Sequence, residues 1–159
     1  MKTISSLLLT LVVMLTASVC ASAQTTIFNK LDGNPSIDRT FISSSMINTA
    51  AKFMKSNTNS EKAKAMDYVE IVTASDPAGC KLIKKEFNAF LESNPDIELI
   101  LSNTSGNERT LIYVQYAPDR SNACLTIIYA EEGDSLTVTV CSGENTLLLS
   151  AVPDITIFM

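Results

Sequence analysis

Apolar and polar positions alternate most regularly in ACLTIIYAEEGDSLTVTVC, Ala123 to Cys141, which reads as two strands around a polar turn. Leu125, Ile127 and Tyr129 share one side of the first strand, and Leu136, Val138 and Val140 one side of the second. Placing Ala130 opposite Ser135, around a two-residue turn at Glu132-Gly133, sets Leu125 against Val140, Ile127 against Val138 and Tyr129 against Leu136. A slip of one residue would mix apolar with polar partners, so this register is expected. It sets Cys124 opposite Cys141 at a non-hydrogen-bonded pair, where side chains approach closely, and predicts a cross-strand disulfide. Such a bond contributes about 3 kcal/mol in the chain-entropy view. The alternative is two reduced, half-buried cysteines, because Glu-Gly is a weaker turn signal than Asn-Gly.

Period two also marks Asp67 to Ala74 as a strand, with Val69 and Ile71 on one face and Tyr68 and Val72 on the other. A further hairpin runs from Ile97 to Ser102 and from Arg109 to Tyr116, through a turn at Gly106-Asn107. Asn34 to Thr40 leads into a short extended entry at Phe41-Ile42. Thr146 to Val152 and Ile155 to Phe158 are apolar and β-rich, divided by Pro153-Asp154. Helical spacing appears twice. Met46, Ala50, Phe53 and Met54 line one face of a short helix. Cys80, Ile83, Phe87, Phe90 and Leu91 form the stripe of a longer one, with Asp76 as cap, Pro77 at its first position and Asn94-Pro95 as its stop. Ser56 to Ser60 is a turn-rich loop, followed by a brief Ala/Lys helical turn. Helices followed by hairpins predict a single α+β domain: an antiparallel sheet built largely from the C-terminal hairpins, with two or three helices packed on one face.

The first residues stand outside that domain. Lys2, an apolar run from Leu7 to Leu15 and the small-x-small pattern Ala21-Ser22-Ala23 predict a signal peptide over 1–23. Cleavage between Ala23 and Gln24 leaves 24–159 as the domain. The run is short for a spanning helix and no basic stop follows it, so no membrane span is expected after processing. Cys20 offers lipoprotein anchoring as the alternative, but Val19 and Ala17 stand where that chemistry wants a small residue and a leucine. The expected location is periplasmic or secreted.

A net charge of −5 without a basic cluster argues against nucleic acid and anionic membrane surfaces as partners. The chain has no His, which removes Ser-His-Asp and Cys-His catalysis and ordinary zinc sites. It has no CxxC, GxSxG, phosphate-binding or dinucleotide glycine pattern either, so no catalytic, cofactor or metal residue is assigned. Carboxylate chemistry remains open, although no pair stands out among the 17 Asp and Glu. Glu131, Glu132 and Asp134 cluster at the hairpin tip without the spacing of a calcium loop. Tyr113, Tyr116 and Tyr129 suit a sheet surface. Cys80 reads as a packed small side chain, with Lys81 and Lys84 close enough to keep a reactive thiol in view.

With these elements placed, IFNKLDG (Ile27 to Gly33), FISSSM (Phe41 to Met46), AMDYVEIVTAS (Ala65 to Ser75) and the two hairpins resemble an uncharacterised family of short exported Bacteroidetes proteins, domain-of-unknown-function family 4252. The resemblance implies a signal-bearing α+β domain and carries no functional residue. The end, LLLSAVPDITIFM, is more β-like than the helix-prone tail such a protein would have. Exported proteins of that phylum carry O-glycans at Asp-Ser/Thr before an apolar residue or Thr, and Asp134-Ser135-Leu136 fits, making Ser135 a candidate. Asn103-Thr104-Ser105 fits the N-linked rule. The function expected is a non-enzymatic binding module of the envelope, its partner another envelope protein or a small ligand. The alternative is a carboxylate-dependent hydrolase of envelope glycan or peptide, which requires two converging acids in a deep pocket.

Overall fold

The computed structural model describes residues 26–53, 65–120 and 122–144. Its elements are β1 (Asp38–Ser43), α1 (Ser44–Ala51), β2 (Met66–Ala74), α2 (Pro77–Ser93), β3 (Glu98–Ser105), β4 (Glu108–Tyr116), β5 (Ala123–Glu132) and β6 (Ser135–Gly143). A three-residue 3₁₀ turn at Asn29–Leu31 precedes them. The strands form one sheet in the order β1-β2-β6-β5-β4-β3, and every neighbouring pair is antiparallel. The α+β expectation holds at that level. The signal peptide, the cleavage point, Cys20, Met54, the Ser56–Ser60 loop with the turn after it, and both segments beyond Thr146 lie outside the described residues.

The β3–β4 and β5–β6 hairpins each turn on a glycine. Gly106 and Gly133 have φ of +59° and +57°, and each is the first of two turn residues between paired flanks, Ser105 with Glu108 and Glu132 with Ser135. Asp134 is not among the positive-φ residues, so the second turn is of the II′ kind, whose twist suits a hairpin. That moves the β5–β6 turn one residue beyond the expected Glu132-Gly133. Ala130 therefore pairs with Thr137 rather than Ser135, and Cys141 faces Thr126 rather than Cys124.

This corrects the disulfide expectation. Cys124 lies diagonally across from Cys141, at a Cα separation of about 7–8 Å that a disulfide does not span without backbone movement. Cys80, Cys124 and Cys141 are free thiols. A two-residue shift preserves which side each residue occupies, so Leu125, Ile127, Tyr129, Leu136, Val138 and Val140 still share one face.

On that first face the sheet packs beneath α2. Asp76 Oδ1 accepts from the Ala78 and Gly79 amides at 3.0 Å each, and Pro77 opens the helix as expected. Cys80, Ile83 and Phe87 are buried against Val72, Leu111, Ile127, Tyr129, Leu136, Val138 and Val140. Phe28 and Leu31 close the same core from the N-terminal turn. Full burial of a side chain of this kind contributes about 1.5–3 kcal/mol.

The second helix departs from expectation. Helix α1 sits on the opposite face, where Ile47 and Ala51 pack against Ile42, Met66 and Val69. Met46 and Phe53, assigned to its buried stripe by spacing alone, are exposed at 63% and 82%. The reason is connectivity. Helix α1 continues directly from β1, so β1 fixes its rotation and turns Ile47 and Ala51 toward Ile42 and Val69. The expectation of all helices on one face is thus corrected: the two described α-helices lie on opposite faces.

Among the described residues one carboxylate is buried, and it lies on the first face. Glu70 is 0% exposed because its strand position is shared with inward-facing Tyr68 and Val72. Arg39 of β1 donates from Nε to Glu70 Oε1 at 2.8 Å and from Nη2 to Thr26 Oγ1 at 2.6 Å. Its Nη1 lies 3.4 Å from Asp32 Oδ1. One guanidinium therefore ties the N-terminal turn to the second strand of the sheet.

Candidate functional site

Two surface regions combine a cavity with chemically distinctive side chains. The first lies between the start of α2 and the β5–β6 turn, in a cavity of about 400 Å³ lined by Cys80, Lys81, Lys84, Glu131 and Asp134. Lys84 Nζ donates to Glu131 Oε1 at 2.5 Å, and the Tyr129 hydroxyl donates to Glu131 Oε2 at 2.9 Å. The Lys84 bond is the main cause that holds the Glu131 carboxyl below its usual range. Burial, and then the bond to Glu131, push the Tyr129 hydroxyl far up. Phe87 stacks on Tyr129 and meets Tyr113 edge-on, which fixes both rings.

Cys80 faces this cavity as a protonated thiol. Its Sγ lies 3.3 Å from the Asp134 carbonyl oxygen and 3.7 Å from that of Ala74, so S–H donates to backbone. Burial raises its pKa more than nearby Lys84 lowers it. The lysines that left a reactive thiol in view do not win: Lys84 is committed to Glu131. Cys141 is driven up to about 11 by burial alone. Neither thiol is set up as a nucleophile.

The hairpin-tip acids part company for a geometric reason. Successive strand residues point to opposite faces, so Glu131 turns onto Lys84 while Glu132 points away. Among the described residues no group of three His, Cys, Asp or Glu side chains is placed to hold a metal ion. The Ser135 hydroxyl, the candidate glycan acceptor, donates to the Ala74 carbonyl at 3.3 Å. Asn103 and its two followers lie on exposed positions of β3.

The second region is the outer edge of the sheet. Strand β3 pairs with β4 and with no other described strand. Leu99 and Ile100 are exposed at 50% and 40%, at a register irregularity between Leu99 and Leu101. Beside them is a cavity of about 600 Å³ lined by Pro95, Glu98, Tyr116, Pro118, Arg120 and Cys124, among others. Arg120 has φ of 55°, the left-handed region that an arginine rarely enters. Two contacts hold it there. Its Nη atoms donate to both Glu98 oxygens at 2.8 and 3.2 Å, and its guanidinium lies 4.9 Å above the Tyr116 ring. The Arg120 bond holds the Glu98 carboxyl below its usual range.

Of the three tyrosines noted in the sequence, Tyr113 and Tyr129 therefore serve the first region and Tyr116 the second. Arg120 and Glu98 were not legible beforehand, because their meeting depends on a loop conformation no local pattern encodes. Glu70 had a usable signal: alternation with Tyr68 and Val72 already points it inward.

No protein-family model, no curated protein and no solved structure matches this chain.

Proposed function

We propose that the chain is an exported, non-enzymatic binding module of the cell envelope that holds an extended segment of another envelope protein along the edge of β3. One observation carries the reading: Leu99 and Ile100 stand exposed on an eight-residue edge strand. An edge offers a row of backbone donors and acceptors, and apolar side chains beside it supply selectivity when a peptide adds as a strand. The Arg120–Tyr116 platform at the start of that edge gives an incoming side chain a flat, cationic surface. Export rests on residues 1–23 as a leader cut after Ala23, and the resemblance to family 4252 supports the same reading.

The hydrolase alternative is weakened by the pairing of its candidate acids. A general acid needs a carboxyl held protonated near neutral pH, whereas Glu131 and Glu98 are each held ionised by a cation. Glu70 lines neither cavity.

A photo-activatable residue placed at Leu99 in the exporting cell tests the proposal. It should form an adduct with one envelope protein, and Ile100→Lys should reduce that adduct at least fivefold. The same probe at exposed Thr40, on the opposite edge strand β1, is the control. Equal adducts from both edges, or none from Leu99, would reject strand addition at β3.

A further inference from the structure

Strand β3 starts at the rim of the cavity that holds Glu98, Tyr116 and Arg120. The loop between β4 and β5 that carries Arg120 is closed by its own backbone. The Ala117 amide donates to the Asn122 carbonyl at 2.9 Å, and the Arg120 amide to the Ala117 carbonyl at 2.7 Å. These bonds, with the left-handed φ at Arg120, fix the point from which its side chain leaves the loop.

A guanidinium is a flat group with an edge of donors and two faces. At Arg120 the edge is given to both Glu98 oxygens, and one face lies over Tyr116. The side chain is nonetheless 64% exposed, and it lines the cavity. Neither holding contact uses the second face, which is thus a positioned, planar cation with room beside it.

We propose that this second face receives an aromatic side chain from the segment held along β3, completing a stack of Tyr116, Arg120 and the incoming ring. The source of the ring rests on the strand-addition reading; its chemistry follows from the cavity. The lining contains two acids, Asp96 and Glu98, against one base, Arg120. An incoming carboxylate meets that surplus of negative charge, and Glu98 already holds the donors it would use. An incoming lysine or arginine meets the Arg120 charge, and the Glu98 carboxylate that would pair with it is taken.

An uncharged ring suffers neither penalty. Its electron-rich face is complementary to a guanidinium, and Pro95, Ala117 and Pro118 offer it apolar walls. Because Glu98 and Tyr116 hold the cation in place beforehand, little ordering is needed when the ring arrives. Glu98 is the first residue of β3, which puts the aromatic residue at that end of the added segment, beside the side chains that meet Leu99 and Ile100.

Selection of displayed random peptides of eight residues, the length of β3, against the full-length chain tests this. Selected peptides should carry Trp, Tyr or Phe at one position near an end. Arg120→Lys keeps the charge but not the flat face, and should weaken their binding about fivefold or more. Arg120→Gly suits the left-handed backbone, so it removes the platform without straining the loop and should lose the same preference. A selected peptide should also move the Arg120 side-chain N–H signals upfield, as a ring above their plane does. Selection of acidic, basic or only aliphatic residues at that position, or no selection at all, would overturn the proposal, as would equal binding by Arg120→Lys. The photo-adduct at Leu99 separates this contact from strand addition itself. An adduct unchanged in Arg120→Gly would leave strand addition standing and reject the aromatic contact. No adduct at Leu99 in the unsubstituted chain would reject strand addition, and the ring shift at Arg120 would then decide the aromatic site alone.

Discussion

Replacing Arg39 by Met is the most informative single perturbation of this fold. Methionine keeps most of the side-chain length and removes the guanidinium that holds Glu70, Thr26 and Asp32. Glu70 is fully buried, and its Oε2 has no hydrogen-bond partner even with Arg39 in place. Without Arg39 the whole carboxylate is left without compensation. Breaking a buried pair from one side costs about 3–5 kcal/mol, and a domain of this size loses roughly 3–5 °C of Tm per kcal/mol. Arg39→Met should therefore lower Tm by roughly 10–20 °C. The second variant separates charge from packing. Arg39→Met with Glu70→Leu removes both charges, and replacing a buried pair by apolar residues is often close to neutral. The double variant should recover most of the loss, giving a coupling energy of at least about 2 kcal/mol in a urea-denaturation cycle. A loss below about 1 kcal/mol for Arg39→Met alone, or no recovery in the double variant, would refute the view that Glu70 depends on Arg39.

Gly143→Ala should destabilise the protein by several kcal/mol or prevent folding. Its φ is +135°, and a Cβ there would run into the Ala65 carbonyl oxygen and lie 2.6 Å from Met66 Cα; circular dichroism and thermal melts read the outcome. Intact mass of the folded chain should not change on reduction. Iodoacetamide at pH 8 should modify Cys124 well before Cys141, whose thiol ionises only near pH 11; a two-dalton gain on reduction would restore the disulfide. Lys84→Met should cost less than about 1 kcal/mol, since Lys84 is 42% exposed. The Glu131 carboxyl is held below its ordinary value, so its contribution is present above the unfolded pKa and lost as pH falls through the folded one. The variant's deficit should accordingly be greatest near neutral pH and shrink in acid; a deficit that grew in acid would contradict the assignment.

Local chemistry made α2 legible. An Asp cap, a proline at the first position, a 3.6-residue stripe and an Asn-Pro stop all act within one stretch of chain. Alternation made the faces of β2, β5 and β6 legible for the same reason. It could not settle the β5–β6 register, because alternation repeats every two residues and excludes only odd slips. Choosing between Glu132-Gly133 and Gly133-Asp134 needed the backbone sign at Gly133, and the disulfide depended on that choice. The rotation of α1 escaped because β1 imposes it. The Glu98–Arg120–Tyr116 arrangement escaped because the loop carrying Arg120 brings it back on residues from two strands. Glu70 was half legible: its inward direction follows from parity, whereas its partner follows only from the β1–β2 pairing.

The placement of β2 has a consequence for the order in which the molecule assembles. Strand β2 lies inside the sheet, yet its inner neighbour is β6, and 64 residues separate Thr73 from its hydroxyl partner Thr137. Strands β3 to β6 are joined in sequence by short connections, so their pairings are local in the chain. A chain made from its N-terminus therefore presents β1 and β2 first and completes them last. Until β6 emerges, the Glu70 strand has an open side and the α2 core lacks Leu136, Val138 and Val140. This is a delayed-closure topology: β1 and β2 wait for β6, the last of the described strands, to close the sheet beside them.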